Sequence, residues 1–423
     1  MTWIEIILVV AVLAIAWLIL YLRGVFEPKV KYCSDYRILL DDPNFLPLFV
    51  GFSQSLLTQA HISGFWSQPD QIYAVRIAAI RQAQHIIQFE TFFMTPGTRA
   101  NEFADALIER AIAGVRVEVL ADHSGTLKMS SSYWKQLREA GIEIRFFHPP
   151  RLRMPLQYLN RTHRKLLIID GTVAFTGGMG VSDDFDGNPK IGDRAPWFDC
   201  EIRLENNIVP VLVGIFRRHW LYEGGKATGG YFPPEQPSIE AKPMLVVPHD
   251  ADSKISSINA LIWFSLQAAQ QRIWIASPYF ILDLNTRTAL IRAKKRGVDV
   301  RVVTTSARND KHSVYYAVRE RYRYFLPTGI EIYEYQPSMI HAKLMLVDQD
   351  WISFGSANFD PRSFYHNDEL NLAWFDPDLA SIVEKLLLDA FEKSKRIEWS
   401  SWRNRPWWQK LIGRCSLLLR WQL

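Results

Sequence analysis

Apolar and polar positions follow three regimes along the chain. Residues 6–22, IILVVAVLAIAWLILYL, form an uncharged apolar run of 17, with Trp3 and Ile4 extending it past Glu5. As a helix the run spans about 26 Å at about 1.5 Å per residue, the short end of the membrane-spanning range. The body then alternates strand-like and helix-like periods. Residues 86–93 (IIQFETFF) read as a strand, 101–113 as a helix stopped by Gly114, and 115–120 (VRVEVL) as the next strand, which is a βαβ signature. Residues 272–280 (RIWIASPYF), a helix over 286–296 stopped by Gly297, and 298–303 (VDVRVV) repeat it. Gly141 precedes IEIRFF at 142–147 and Gly329 precedes IEIYEY at 330–335. Each half then presents a strand that opens on a histidine, His163 or His341, 178 residues apart.

This self-similarity predicts two like α/β units, each with a mixed, mostly parallel sheet flanked by helices. The divisions are an N-terminal transmembrane helix (1–28), a connecting segment (29–72), a first unit (73–237), a second unit (238–397) and an aromatic-basic tail (398–423). Residues 182–196 and 224–237 have no apolar period and read as loops.

Charge and composition refine the picture at the ends of the chain. The net charge of +5 over 423 residues is too small for a dedicated nucleic-acid binder, so none is expected as a partner. Cys33, Cys200 and Cys415 lie far apart, with neither a disulfide framework nor metal-ligand spacing. A cleaved signal peptide would carry a basic stretch before its apolar core, whereas Glu5 stands there with no Lys or Arg, so a retained helix is expected. Arg23, Lys29 and Lys31 after it place the body on the cytoplasmic side. In the tail, Trp402, Trp407, Trp408 and Trp421 are interleaved with Arg403, Arg405, Lys410, Arg414 and Arg420. Two readings stay open there, an interfacial helix beside anionic lipid and a helix packed on the body.

The chemistry lies in a motif written twice. His163 and Lys165 are two apart and so share one face of a strand, as do His341 and Lys343. Asp170 and Asp348 follow five residues after each lysine, and Gly177-Gly178 and Gly355-Ser356 come after them. Phosphodiester exchange needs a nucleophile, a proton donor for the leaving alkoxide and cations over the equatorial oxygens. Two imidazoles and two ammonium groups supply all three, so no metal or other cofactor is expected. Asp170 and Asp348 lie seven residues past their histidines, about 23 Å along a strand at about 3.3 Å per residue. They are therefore expected to tie down the turn after each strand. His123, His148, His219, His249, His312 and His366 show no metal spacing, while Arg308 and Lys311 follow a strand where they could meet a headgroup.

With THRKLLIIDGTVAFTGG in the first half and IHAKLMLVDQDWISFGSANFDPRSF running into HNDELNL in the second, the chain resembles the phospholipase D superfamily. It is most similar to its bacterial cardiolipin synthases. The resemblance covers nearly the whole chain. It implies a carboxylate behind each histidine, Glu369 for His341 (28 residues on) and Asp199 for His163 (36 residues on). It also implies phosphate contacts from Ser356 and Asn358. Their first-half equivalents are Gly178 and Gly180, and the absence of an asparagine at 180 departs from the pattern. The activity implied is phosphatidyl transfer between two phosphatidylglycerol molecules through a phosphohistidine, at the bacterial inner membrane. His163 is the nucleophile by this analogy alone. Hydrolysis of glycerophospholipids, a nuclease and an inactive membrane scaffold remain as alternatives.

Overall fold

A computed structural model describes residues 2–22, 37–151, 154, 157–226, 240–251, 253 and 255–418. Arg23, Lys29, Lys31, Cys33, Arg420, Trp421 and most of the 224–237 loop lie outside them, as do the side chains at 18, 19, 21 and 22. The strands in chain order are β1 Leu56–Trp66, β2 Ile86–Thr91, β3 Arg116–Asp122, β4 Glu143–Phe147, β5 Arg161–Thr162, β6 Leu166–Ile169, β7 Val173–Gly177 and β8 Glu201–Glu205, then β9 Lys242–His249, β10 Arg272–Ala276, β11 Asp299–Thr305, β12 Glu331–Tyr335, β13 Leu344–Val347, β14 Trp351–Gly355, β15 Asn367–Phe375 and β16 Ser394–Arg396.

They form one continuous sheet, ordered β16-β12-β11-β10-β13-β14-β15-β9-β1-β8-β7-β6-β2-β3-β4, with β5 against β15. The order is a near-palindrome about the β9–β1 pair. β8, β7, β6, β2, β3 and β4 on one side correspond to β15, β14, β13, β10, β11 and β12 on the other. The repeat predicted from the sequence is therefore real, but its first copy begins at β1. The expected connecting segment, 29–72, contains a central strand that pairs with both β8 and β9.

The expectation of mostly parallel sheets is corrected as well. Within each half only β2–β3–β4 or β10–β11–β12 run parallel, and the other neighbours are antiparallel. Parallel neighbours need a crossover helix, such as Thr98–Ile112 or Leu284–Lys295. The histidine strand and its successor are joined by a tight turn, which makes an antiparallel hairpin. Asp170 (φ 50°) and Gly171 (φ 60°) both hold the left-handed conformation that such a hairpin turn requires.

Side chains alternate between two cores, one on each face. Leu167, Ile169, Met345 and Val347 enter one beside Phe103, Leu107, Leu290 and Ala293. Leu166, Ile168, Leu344 and Leu346 enter the other beside Leu212, Phe216 and Leu387. Both cores run through both halves, so the two units form one packed body.

The N-terminal run is a helix, Trp3–Leu22, and its described side chains are exposed on every side. Among the described residues no helix is long and apolar enough to cross a membrane. The tail forms two helices, Trp399–Arg403 and Trp407–Leu418.

Candidate active site

Each histidine sits immediately before a strand of its own half, and the other half holds its backbone. β5 pairs in parallel with the start of β15, and His163 N–H donates to the Asp368 carbonyl at 2.8 Å. The amides of His341 and Ala342 donate to the Phe198 carbonyl at 2.7 and 2.9 Å. The acids cross over in the same way. His163 Nδ1 lies 3.0 Å from both Glu369 carboxylate oxygens, and His341 Nδ1 lies 2.6 Å from Asp199 Oδ2. The pairing implied by resemblance, Glu369 with His341 and Asp199 with His163, is thus reversed. Each acid leaves its own repeat to back the histidine of the other. Sequence distance cannot reveal this, because an acid on β15, or just before β8, reaches the central seam where either histidine could be its neighbour.

Asp170 and Asp348 are placed as turn anchors. Asp170 accepts from the amides of Gln84, His85 and Ile86 at 2.8, 2.7 and 2.8 Å. Asp348 accepts from Gln270, Gln271 and Arg272 at 3.0, 2.7 and 3.1 Å.

The small residues after the motif also take structural places. Ser356 is buried, donates from its hydroxyl to Glu369 Oε2 and accepts from Leu370 N–H at 2.9 Å. It holds the acid behind His163, a role the phosphate-contact expectation missed. At Gly178, the equivalent position, a Cβ would stand 2.2 Å from Asp199 Oδ1, so the glycine leaves the room that Asp199 occupies. At Gly180 a Cβ would lie 2.2 Å from the Phe93 carbonyl oxygen, so an asparagine there requires β2's outgoing loop to move. Asn358 lines the cleft, and its buried Oδ1 has no hydrogen-bond partner among the described residues.

Electrostatics fix the protonation states. Burial pushes both rings down, with Lys165 and Lys343 adding to it: His163 to about 3 and His341 to about 4. Burial raises the Glu369 carboxyl, but His163, Lys165 and Ser356 outweigh it and hold it at about 2. Asp199 is likewise lowered against burial by His341 and Lys343. An ionised carboxylate only accepts, so each Nδ1 carries the proton and each Nε2 is left unprotonated. Burial lowers Lys343 to about 8, and burial together with Lys343 takes Lys165 well down. A phosphodiester anion between these groups relieves that repulsion and favours their cationic forms. Lys165 Nζ donates to the His163 carbonyl at 2.6 Å and stands 5.3 Å from the centre of the Phe92 ring; Lys343 Nζ lies 3.1 Å from His341 Nε2.

Both pairs open into one cleft of about 410 Å³. Its walls mix apolar rings (Phe92, Phe93, Phe185, Trp197, Tyr279) with Lys128, Lys311 and Arg362. Phe185 of the 182–196 excursion and Trp197 directly after it fold over His341, with ring centroids 5.4 and 5.7 Å from it. Lys311 reaches the cleft as expected, while Arg308 bonds to the Gly192 carbonyl instead (2.6 Å). A depression of equal volume beside His61, Lys242 and Trp374 holds none of the motif residues.

Behind the cleft lies a buried charge network that the sequence did not disclose. Arg164, between His163 and Lys165, points to the opposite face. It contacts His219, and its guanidinium donates to Asp250 at 2.7 Å. His219 bridges Glu90 of β2 (2.8 Å) and Asp368 of β15 (2.9 Å). His219, Asp250 and Asp368 could together face a cation, and Arg164 and Arg218 already supply that charge. The one available signal was the basic residue inside the motif, which alternation places in the core.

Comparison with known proteins agrees with this geometry. The family described as "Cardiolipin synthase, PLD-like domain" matches residues 77–184 and 263–389. The cardiolipin synthase of Geobacillus sp. (strain WCH70) is 32% identical over 354 residues, 83% of this chain and 70% of that protein. That of Alkalihalophilus pseudofirmus is 33% identical over 356 residues, 82% of this chain and 70% of that protein. Among solved structures, phosphatidylserine synthase of Haemophilus influenzae Rd KW20 superposes with a TM-score of 0.65 at 14% identity, over 89% of this chain and 100% of that one. Polyphosphate kinase from Porphyromonas gingivalis gives 0.52 at 14%, over 89% of this chain and 53% of that one. At such identity these two likenesses speak for the fold alone.

Proposed function

This chain belongs to the phospholipase D-like cardiolipin synthase family, and from that premise we propose that it transfers a phosphatidyl group between two phosphatidylglycerol molecules, giving cardiolipin and glycerol. One observation carries the mechanism: two imidazoles share a cleft with two lysines, each ring oriented by a buried carboxylate from the other half.

The steps follow from the geometry. Nε2 of one histidine attacks the phosphorus of the donor lipid. The P–O bond to the terminal glycerol breaks, and the second histidine, protonated while the anionic lipid occupies the site, gives its proton to the departing oxygen. The terminal hydroxyl of a second phosphatidylglycerol then loses its proton to that histidine. Its oxygen attacks phosphorus, and the P–N bond breaks. Lys165, Lys343 and Asn358 face the equatorial oxygens, and the carboxylates stabilise each ring as it becomes cationic. Resemblance favours His163 as the nucleophile. The aromatic rings among the cleft's walls suit a lipid alcohol as acceptor.

The setting is the bacterial inner membrane. The described part of the helix Trp3–Leu22 does not by itself amount to a membrane span; what supports a single-pass anchor is the uncharged sequence run 6–22, whose side chains at 18, 19, 21 and 22 lie outside the described residues. Arg23, Lys29 and Lys31 support a cytoplasmic body.

Purified protein incubated with phosphatidylglycerol as the sole phospholipid tests this reading. Mass analysis should show cardiolipin and free glycerol in equal amounts. Phosphatidic acid as the main product would select hydrolysis, and no product would reject lipid transfer.

A further inference from the structure

The helix Trp407–Leu418 has two unlike faces. On the inner face a Cβ at Gly413 would stand 2.6 Å from the Tyr316 carbonyl oxygen, so this helix lies backbone-close on the helix His312–Arg321. Arg405 just ahead of it is buried in an ion pair with Glu320, and Trp402 Nε1–H donates to the Arg319 carbonyl at 2.6 Å. The tail is therefore fixed to the body. At about 100° per residue, Trp407, Leu418, Leu411, Cys415, Trp408 and Ile412 follow one another round the outer face. All six are exposed, Trp407 by 73%. Arg414 borders this arc, Lys410 flanks the helix, and no acid occurs on it. A contiguous exposed apolar arc on a fixed helix marks an interaction site.

We propose that this helix docks the body onto an anionic phospholipid bilayer, lying in the interfacial plane with its tryptophans at headgroup level. Charge decides between the possible occupants. A second copy would bring Lys410 and Arg414 of both chains together; the helix itself carries no acid, and the one acid near Arg414, Glu320 at 3.9 Å, is already paired with Arg405. Anionic headgroups neutralise them instead, and tryptophan favours the boundary between headgroup and acyl chain. The place in the fold adds a consequence. The helix beneath, His312–Arg321, begins directly after Asp310 and Lys311, which line the cleft. Docking thus holds one rim of the cleft against the lipid surface. That consequence rests on the lipid-transfer reading, whereas docking itself does not.

The test uses the full chain with Cys33→Ser, a polarity-sensitive fluorophore on the exposed Cys415, and Cys200 buried. The protein is placed in bilayers of mixed phosphatidylglycerol and phosphatidylcholine, or of phosphatidylcholine alone, so that the Trp3–Leu22 helix is served in both. Emission should move to the blue and be quenched by lipid-borne quenchers in the anionic bilayer, about fivefold more than in the neutral one. Water-like emission in both, an equal shift in both, or a shift that follows protein concentration rather than lipid would overturn the proposal, the last by showing self-association. In a second arm, the triple variant Trp407→Ser, Leu411→Ser, Ile412→Ser should raise KM for bilayer phosphatidylglycerol about tenfold. Its kcat on a short-chain, monomerically dissolved phosphatidylglycerol should not change. Equal loss on both substrates, or no loss on either, would contradict docking as the helix's role.

Discussion

Replacing Glu369 by glutamine keeps the shape of the side chain but removes the charge that holds His163 Nδ1–H, and Asp199→Asn does the same to His341. Each should lower kcat by about 10²–10⁴ with little change in Tm. The crossed pairing makes a sharper forecast. Added to His163→Ala, Glu369→Gln should cost little more, as should Asp199→Asn added to His341→Ala. Kinetic double-mutant cycles check it, and strong coupling in the uncrossed combinations would restore the pairing that resemblance implied. The rings also carry a pH dependence of stability. Both are depressed below the ordinary value of about 6.5, so their stabilising share is complete above that value. It is lost as pH falls towards about 3 and about 4. The Tm of the wild type should therefore drop between pH 6.5 and 4.5, and drop less in the His163→Gln, His341→Gln double variant. At this scale the sequence disclosed both histidines and both lysines because the motif is written twice, although each His-x-Lys stands just ahead of its strand, Leu166–Ile169 or Leu344–Val347, rather than on it. It disclosed neither the crossing of the acids nor the place of Ser356 under Glu369, since both depend on contacts between the halves.

The element that turns on each motif is the hairpin after the histidine. Its aspartate ties the turn to the amides that open β2 or β10. Asp170→Ala and Asp348→Ala should each cost about 1–3 kcal/mol of stability by unpairing several amides. Turnover per folded molecule should stay near the wild-type value. Urea titration alongside an active-site titration separates the two, and a large loss of kcat at full folding would place these aspartates in the chemistry. These roles were legible from strand length alone. The βαβ pattern of each half does not carry over to the hairpin: the three-residue link at 170–172 is too short for a crossover and makes its strands antiparallel.

At the scale of the whole molecule, β1 binds the repeats into one sheet. A chain starting at residue 37 should fold, whereas one starting at residue 67 leaves β8 and β9 as bare edges and should aggregate. Size-exclusion chromatography of the two truncations checks this. The strand escaped notice because LLTQAHISGFW has no clean alternation and its register shifts between Ile62 and Gly64. The duplication, in contrast, was plain from glycine-stopped helices recurring at matched intervals. Its meaning is a composite centre, in which one half attacks phosphorus while the other moves the proton, and the roles of the second histidine reverse in the second step. Two in-line displacements at one phosphorus must restore its original configuration. The most direct measurement is the stereochemical course of transfer from phosphatidylglycerol made chiral at phosphorus by oxygen isotopes. The account predicts net retention in the cardiolipin formed, and inversion would show a single displacement with no phosphohistidine and contradict it.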